Sequence, residues 1–397
     1  MKYVKGLDTL RAFAVILVLL GHWGLPVTLG STGKFLFTGL VPNAPFGVDL
    51  FFVLSGFLIT NILLNAANSN ENRFVTMRNF IVRRTLRIFP IYYLAIFTLA
   101  LIGDPFIREH LWWFLTYTSN ILCFKQNSWN SFSHTWSLSV EEQFYLMWPW
   151  LMIFVRPRYL KYVFYGSIII GIAATFYFIK LRQPTNTYSL LLMPSCMQAF
   201  GIGGLYAYAR RDENQKQAFL KIINILFPIA LLIHFYWSFS TGGGHFNYWY
   251  RTVDAIISVW IIHKVLTLKN GWVKTKLLEN SILVKIGQIS YGIYLYHYAL
   301  PNLYEKIVAR IGANTAAGEL LSNQVVTYFA RLVILTIVCL FSYYFIEKPI
   351  LGLKRFFEYR KHKQLPVENA GIPVPASQPV LNVRIVTAAA SEPEEVK

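Results

Sequence analysis

Apolar residues run through this chain in long stretches, and polar residues gather in the segments between them. A helix needs roughly 20 consecutive, mainly apolar residues to cross a bilayer, and each stretch is close to that length. The pattern therefore predicts an all-α, polytopic membrane protein, built as a bundle of about ten transmembrane helices. The predicted spans are 7–27, 45–65, 84–103, 137–155, 161–180, 188–209, 219–239, 250–268, 287–308 and 326–347.

Lysine and arginine are concentrated in alternate segments between these spans. The basic segments are the N-terminus, 66–83, 156–160, 210–218, 269–286 and everything after Glu347. Cytoplasmic loops of membrane proteins carry this kind of positive excess. The asymmetry predicts that both termini lie in the cytoplasm.

Composition agrees with a membrane protein. Of the 397 residues, 55% are hydrophobic and only 14% are charged, whereas a soluble domain is about a quarter charged. The net charge of +18 could suggest a nucleic-acid partner, but the loop asymmetry and attraction to anionic lipid account for it. We therefore expect the lipid bilayer as a partner and no nucleic acid. Asp8 and Arg11 interrupt the first apolar run, so we expect a retained span and not a cleaved signal peptide.

The chain is expected to divide into a membrane domain and a C-terminal tail. Residues 1–350 are predicted to form one transmembrane domain, and 351–397 a basic cytoplasmic segment with a disordered tail rich in Pro, Ala and Val from about 365. The long loop 104–136 carries "HLWWFLTYTSNIL", which is expected to lie at the membrane interface. The three cysteines are scattered and support neither a disulfide framework nor a metal site.

Ionisable residues inside a span are uncommon, and they usually face the bundle interior or a cavity. In the first span, Arg11 and His22 are eleven residues apart, which puts them on one helix face and about 16 Å apart along the axis. Taken alone, Arg11 could be a snorkelling anchor and His22 an interhelical hydrogen-bonding residue.

Further polar residues extend this layout to other spans. Asp49 in "GVDLFFVLSGFLIT" and Glu141 in "HTWSLSVEEQFYLMWP" are expected in the outer half, near the depth of His22, with Glu142 pointing elsewhere. Arg84 and Arg87 in "RRTLRIFPIYY" share a face at the cytoplasmic end. Arginine forks suit phosphates, and a histidine with a carboxylate suits activation of a hydroxyl. Acyl-CoA carries phosphates at one end and a thioester on a long arm. It would therefore reach from the arginines at the cytoplasmic end to the histidine and carboxylates in the outer half.

Taken in order, the motifs resemble those of the acyltransferase type-3 family, bacterial membrane proteins that O-acylate glycans. The matching pieces are "LDTLRAFAVILVLLGH", "GVDLFFVLSGFLIT", "RRTLRIFPIYY", "HTWSLSVEEQFYLMWP", "ISYGIYLYHYALP" and "IEKP", which cover about residues 6–350. The resemblance implies a multi-pass protein of the bacterial cytoplasmic (inner) membrane that moves an acyl group, usually acetyl, from cytoplasmic acyl-CoA to a hydroxyl of a lipid-linked or cell-surface glycan. It implies acyl-CoA as co-substrate and no tightly bound cofactor or metal.

The resemblance also implies roles for individual residues. His22 matches the catalytic histidine and Arg11 its partner, Arg84 and Arg87 match the arginine pair near the coenzyme A phosphates, and Glu141 matches the motif glutamate. In our interpretation His22 acts as general base, with Glu141 or Asp49 orienting its imidazole. Ser290, Tyr291 and His297 match a late family motif, but the sequence assigns them no role. The chain resembles the stand-alone form without a fused extracytoplasmic hydrolase-like domain, so transfer is expected to be direct or through a separate extracytoplasmic partner.

Three alternatives remain open at this stage. The histidine could form an acyl intermediate instead of acting as a base. The acyl group could be succinyl or another larger group. Buried charge near the membrane midplane also marks ion-coupled transporters, although no internal repeat is visible in the sequence.

Overall fold

The computed structural model of the protein describes residues 3–26, 30–67, 72–130, 132–182, 187–240, 249–312 and 315–358. In these ranges the chain is helical and forms no β-strand. The α-helices are α1 (Lys5–Trp23), α2 (Ser31–Leu40), α3 (Ala44–Ala67), α4 (Arg73–Leu101), α5 (Pro105–Glu109), α6 (Leu111–Leu115), α7 (Ser119–Gln126), α8 (Trp136–Phe154), α9 (Leu160–Phe176), α10 (Met193–Ala209), α11 (Glu213–Ser240), α12 (Tyr250–Thr267), α13 (Ser281–Gln288), α14 (Ser290–Tyr296), α15 (Leu300–Ile311), α16 (Ala316–Ser322), α17 (Gln324–Phe341) and α18 (Lys348–Gly352).

The all-α prediction is confirmed for the described residues. Six helical segments are long and apolar enough to cross a membrane, namely Lys5–Trp23, Ser31–Ala67, Arg73–Leu101, Pro157–Phe176, Glu213–Ser240 and Gln324–Phe357. The total of ten spans and the cytoplasmic placement of the termini stay predictions. The described residues belong to one compact unit, and the tail predicted to be disordered lies outside them.

The ninth predicted span, 287–308, is not one helix. It is divided among α13, α14 and α15, with a turn at 297–299 between the last two. Pro301 lies in the first turn of α15. Because proline has no N–H, it cannot donate to the carbonyl of His297 four residues earlier. That carbonyl instead accepts a hydrogen bond from the indole Nε1 of Trp23 at 3.1 Å.

Helices α1, α3, α10 and α13 pack closely because glycines let their backbones approach. A Cβ at Gly56 of α3 would collide with the carbonyl oxygen of Phe200, and a Cβ at Gly203 of α10 would collide with that of Val53. Small residues drive helix association in this way inside membranes. Gly287 of α13 meets the carbonyl of Asp8 in the same manner, which fixes α13 against the N-terminal part of α1.

The described residues of the loop between α4 and α8 include three short α-helices, α5 to α7, and a 3-10 turn at Ser133–Thr135. Tyr92 and Tyr93 of α4 donate hydrogen bonds to the carbonyls of Phe114 and Leu115 at 3.0 and 2.9 Å, which ties the loop to α4. Trp112 is 76% exposed, as expected for an aromatic residue at a membrane surface. The position of this loop at the interface stays a prediction.

Candidate active site

A cavity of about 290 Å³ lies among α1, α3, α4, α8 and α14. We call it the arginine cavity, because Arg11, Arg84 and Arg87 all line it. Its wall also carries hydroxyl groups and one carboxylate. The polar lining residues beside the arginines are Ser55, Ser137, Glu141, Tyr145, Ser290, Tyr291 and Tyr294.

The three arginines differ in how far their charge is neutralised. Arg11 forms an ion pair with Asp8 at 2.6 Å. Arg84 lies over the ring of Tyr145 at 5.6 Å. Within the described part of the chain, the side chains of Arg84 and Arg87 make no hydrogen bond or ion pair with another residue. Their N–H groups therefore remain available to an anionic ligand, for which the guanidinium fork is well suited.

The two adjacent glutamates of α8 occupy different cavities. Glu141 lines the arginine cavity and accepts a hydrogen bond from Ser55 at 2.7 Å. Glu142 lines a neighbouring cavity of about 300 Å³. Arg84 and Tyr145 form part of both cavities. The structure thus groups Glu141 with the arginines, whereas the sequence had placed it at the level of His22.

The imidazole of His22 is paired with that of His297. Nδ1 of His22 lies 2.8 Å from Nε2 of His297, and the rings are stacked with centroids 5.0 Å apart. Nδ1 of His297 lies 2.7 Å from the carbonyl oxygen of Tyr294. A carbonyl only accepts, so Nδ1 of a neutral His297 must carry the proton and its Nε2 must accept from His22. This assignment leaves Nε2 of His22 unprotonated and free to act as a base.

The two carboxylates expected to orient His22 make their hydrogen bonds and ion pairs with other described residues, and their role in orienting His22 stays a prediction. Asp49 is buried and forms an ion pair with Arg251 of α12 at 2.5 Å. The Arg251 guanidinium also donates to the hydroxyl of Tyr250 at 2.7 Å. Glu141 bonds to Ser55, so the observed partner of the His22 ring is His297. The pairing of Asp49 with Arg251 was not predicted, because Arg251 lies far away in the sequence.

A third histidine, His134, completes the cluster and was not singled out from the sequence. Its Nε2 lies 3.2 Å from the carbonyl oxygen of Leu295, and its ring lies edge-on to that of His297 at 5.0 Å. The ring is also stacked on Tyr298 at 4.9 Å. The available signal was its position as the first residue of "HTWSLSVEEQFYLMWP", seven residues before Glu141.

Tyr294 connects the histidines to the arginine cavity. Its main-chain carbonyl holds His297, while its side chain lines the cavity. The hydroxyl of Tyr294 donates to the carbonyl of His134 at 2.9 Å and lies 2.5 Å from the hydroxyl of Ser137. The cavity and the histidine cluster therefore share one wall.

These features describe a helical protein in which an arginine-lined cavity lies beside a pair of hydrogen-bonded histidines. The sequence profile of the acyltransferase domain matches residues 4–345 of the chain. The chain therefore belongs to this acyltransferase family, which confirms the resemblance stated from the motifs and the acyltransferase class that it implied.

Individual relatives agree with this membership. The chain is 27% identical over 377 residues to a protein of Staphylococcus aureus provisionally named an O-acetyltransferase, covering 88% of this chain and 57% of the relative. It is 27% identical over 394 residues to the peptidoglycan O-acetyltransferase OatA of Listeria monocytogenes, covering 91% and 58%. A Bacillus subtilis protein provisionally named a peptidoglycan O-acetyltransferase is 30% identical over 393 residues, covering 88% and 55%. The chain thus spans a little over half the length of these relatives. No solved structure matches it.

Proposed function

We propose that this protein transfers an acyl group, most simply acetyl, from acyl-CoA at the cytoplasmic face to a hydroxyl of a glycan at the outer face of the bacterial inner membrane. The observation that carries the proposal is the shared wall at Tyr294, which joins the unpaired arginines of the cavity to the histidine pair. This arrangement matches a donor with a phosphorylated head and a reactive group on a long arm.

The donor site is proposed to be the arginine cavity. The guanidinium groups of Arg84 and Arg87 would bind the coenzyme A phosphates with charge-assisted hydrogen bonds, and Arg11, held by Asp8, would lie near the arm. Glu141 can accept a hydrogen bond, and its placement beside these arginines favours a role in positioning the donor. Arg11 and His22 lie on one continuous helix, eleven residues apart, so about 16 Å along its axis would separate the part of the arm near Arg11 from the thioester at His22.

The proposed chemistry uses Nε2 of His22 as general base. It takes the proton of the acceptor hydroxyl while the oxygen attacks the thioester carbonyl, and the resulting tetrahedral intermediate expels the coenzyme A thiolate. The imidazolium then returns its proton to that thiolate, so His22 ends neutral. Throughout, Nδ1–H of His22 stays bonded to His297, in the manner of a triad whose third member fixes the tautomer. Formation of an acyl-histidine is the alternative route.

Peptidoglycan or another saccharide is the proposed acceptor class, because two of the relatives carry peptidoglycan O-acetyltransferase names. We propose direct acylation of a lipid-linked or cell-surface glycan. Transfer through a separate extracytoplasmic partner is the alternative.

Glycan analysis by mass spectrometry in cells with and without the gene tests the proposal. An added acetyl mass that depends on the gene and on His22 is the expected result, whereas an added succinyl mass would identify a larger donor. Purified protein should bind coenzyme A. A protein that binds no coenzyme A and adds no acyl group would favour an ion-coupled transporter instead.

A further inference from the structure

A second cavity, of about 430 Å³, lies beside the C-terminal end of α1, and we call it the Trp23 cavity. It shares no lining residue with the arginine cavity. Pockets for small organic ligands have volumes of about 300–1,000 Å³, so this space is large enough for a ligand. Its aromatic and polar walls come from Trp23, Tyr304, Glu305, Gln324, Tyr328 and Arg331.

The Trp23 cavity adjoins the proposed base. Trp23 follows His22 directly in α1, and its indole Nε1 donates to the main-chain carbonyl of His297 at 3.1 Å. Trp23 also lines the cavity, and its indole meets the ring of Tyr328, another lining residue, edge-on at 6.1 Å. The Trp23 side chain therefore forms part of the cavity wall and also bonds to His297, the residue that pairs with His22.

The charges in this cavity cancel. Arg331 forms an ion pair with Glu305 at 3.0 Å and lies over the ring of Tyr304 at 5.3 Å. The Glu305 side chain is 68% exposed, and Oε1 is its only oxygen in this pair. A neutral pair next to aromatic rings offers hydrogen-bond donors and acceptors without a net charge, in contrast to the arginine cavity.

We propose that the Trp23 cavity binds an uncharged pyranose segment of the acceptor glycan and presents one of its hydroxyls to His22. This inference rests on the proposed function. Aromatic rings pack against the C–H face of a sugar, while carboxylate and guanidinium groups bond to its hydroxyl edge. A phosphorylated ligand would instead prefer the arginine cavity, because Arg84 and Arg87 there have no ion-pair partner among the described residues, whereas Arg331 is paired with Glu305.

Saccharide binding can be measured without turnover. We would place the His22→Ala variant in lipid nanodiscs and titrate it with an N-acetylglucosamine oligosaccharide, a hexose oligosaccharide and coenzyme A by calorimetry. In this background Tyr328→Leu and Glu305→Gln should each weaken saccharide binding roughly five- to tenfold, the loss expected for one such contact. Coenzyme A binding should not change. Tyr236→Leu is the matched control, because Tyr236 is a 70% exposed tyrosine of α11 away from both cavities.

The outcomes separate the two proposals. Saccharide binding that is unchanged in both variants would overturn the assignment of this cavity, even if coenzyme A binding and acyl transfer are intact. The same conclusion would follow if neither saccharide binds to a protein that still binds coenzyme A. A bound phospholipid seen by native mass spectrometry and lost in Tyr328→Leu, with saccharide binding intact, would assign the cavity to lipid. Loss of coenzyme A binding in the parent protein would count against the proposed function instead.

Discussion

Replacing His297 by glutamine or by asparagine should separate activity from stability. The buried His297 ring makes one hydrogen bond through each nitrogen, to His22 through Nε2 and to the Tyr294 carbonyl through Nδ1. A glutamine amide reaches the position of Nε2, and an asparagine amide reaches that of Nδ1. Each variant therefore keeps one bond and loses the other.

The two losses differ in size and in kind. The asparagine variant leaves Nδ1 of His22 without an acceptor, so the tautomer with the proton on Nδ1 is no longer favoured. Its kcat should fall about 10²-fold, which is the lower end of what a positioned base contributes. Glutamine keeps that acceptor, and kcat should fall less than about tenfold. Glutamine, however, leaves the buried Tyr294 carbonyl unsatisfied, which should cost about 1–3 kcal/mol of stability. The asparagine variant should lose less stability, because its amide still donates to the Tyr294 carbonyl.

Acyl transfer by purified protein, with KM for acyl-CoA and the melting temperature measured in parallel, tests this reasoning. The expected result is an inverse order, in which the asparagine variant is the more stable and the less active. In both variants KM for acyl-CoA should stay within about twofold of the wild-type value, because His297 does not line the arginine cavity. If activity simply follows the melting temperature across the two variants, His297 is only a structural residue and the tautomer argument is refuted.

Other predictions concern the base, the donor site and the topology. His22→Gln should lower kcat about 10²–10⁴-fold without changing the expression or folding of the protein; a purified variant with more than half of the wild-type rate would exclude His22 as the base. Alanine at both Arg84 and Arg87 should raise KM for acyl-CoA, and lysine should restore it only partly because it lacks the planar fork; an unchanged KM would leave these arginines only a role in membrane topology. In a variant without the native cysteines, a cysteine that replaces Lys34 should react with an impermeant thiol reagent on intact spheroplasts, whereas a cysteine that replaces Asn214 should react only after permeabilisation. The reverse pattern would place the arginine cavity on the side of the membrane that has no coenzyme A.

The helices themselves were accessible from the sequence, because length and hydropathy decide them locally. The first predicted span, 7–27, corresponds to α1 at Lys5–Trp23, and the second, 45–65, corresponds to α3 at Ala44–Ala67. The break in 287–308 was missed, since the apolar run continues through it. Pro301 was the available signal, but a proline inside a span can also produce only a kink.

The site was only partly accessible, because its decisive contacts are long-range. His22 and Arg11 were found from spacing on one helix, which is a local property. The bond between His22 and His297 joins positions 275 residues apart, and the pair of Asp49 with Arg251 joins positions 202 apart. No periodicity in a single sequence predicts which of several polar residues will meet across a bundle. The sequence therefore suggested a carboxylate partner for His22, where the structure has a second imidazole.

The turn after α14 has a consequence for engineering. The carbonyls of Tyr294, Leu295 and His297 accept hydrogen bonds from the side chains of His297, His134 and Trp23, respectively. Bare carbonyls are not tolerated at membrane depth, so an uninterrupted helix here would compete with those side chains for the same oxygens. Pro301 prevents one of these backbone bonds from forming. Transfer of the histidine pair to another helical protein would therefore require the proline-interrupted backbone and the three donor side chains as well. Without them, the imidazole rings would lack the hydrogen bonds that position them.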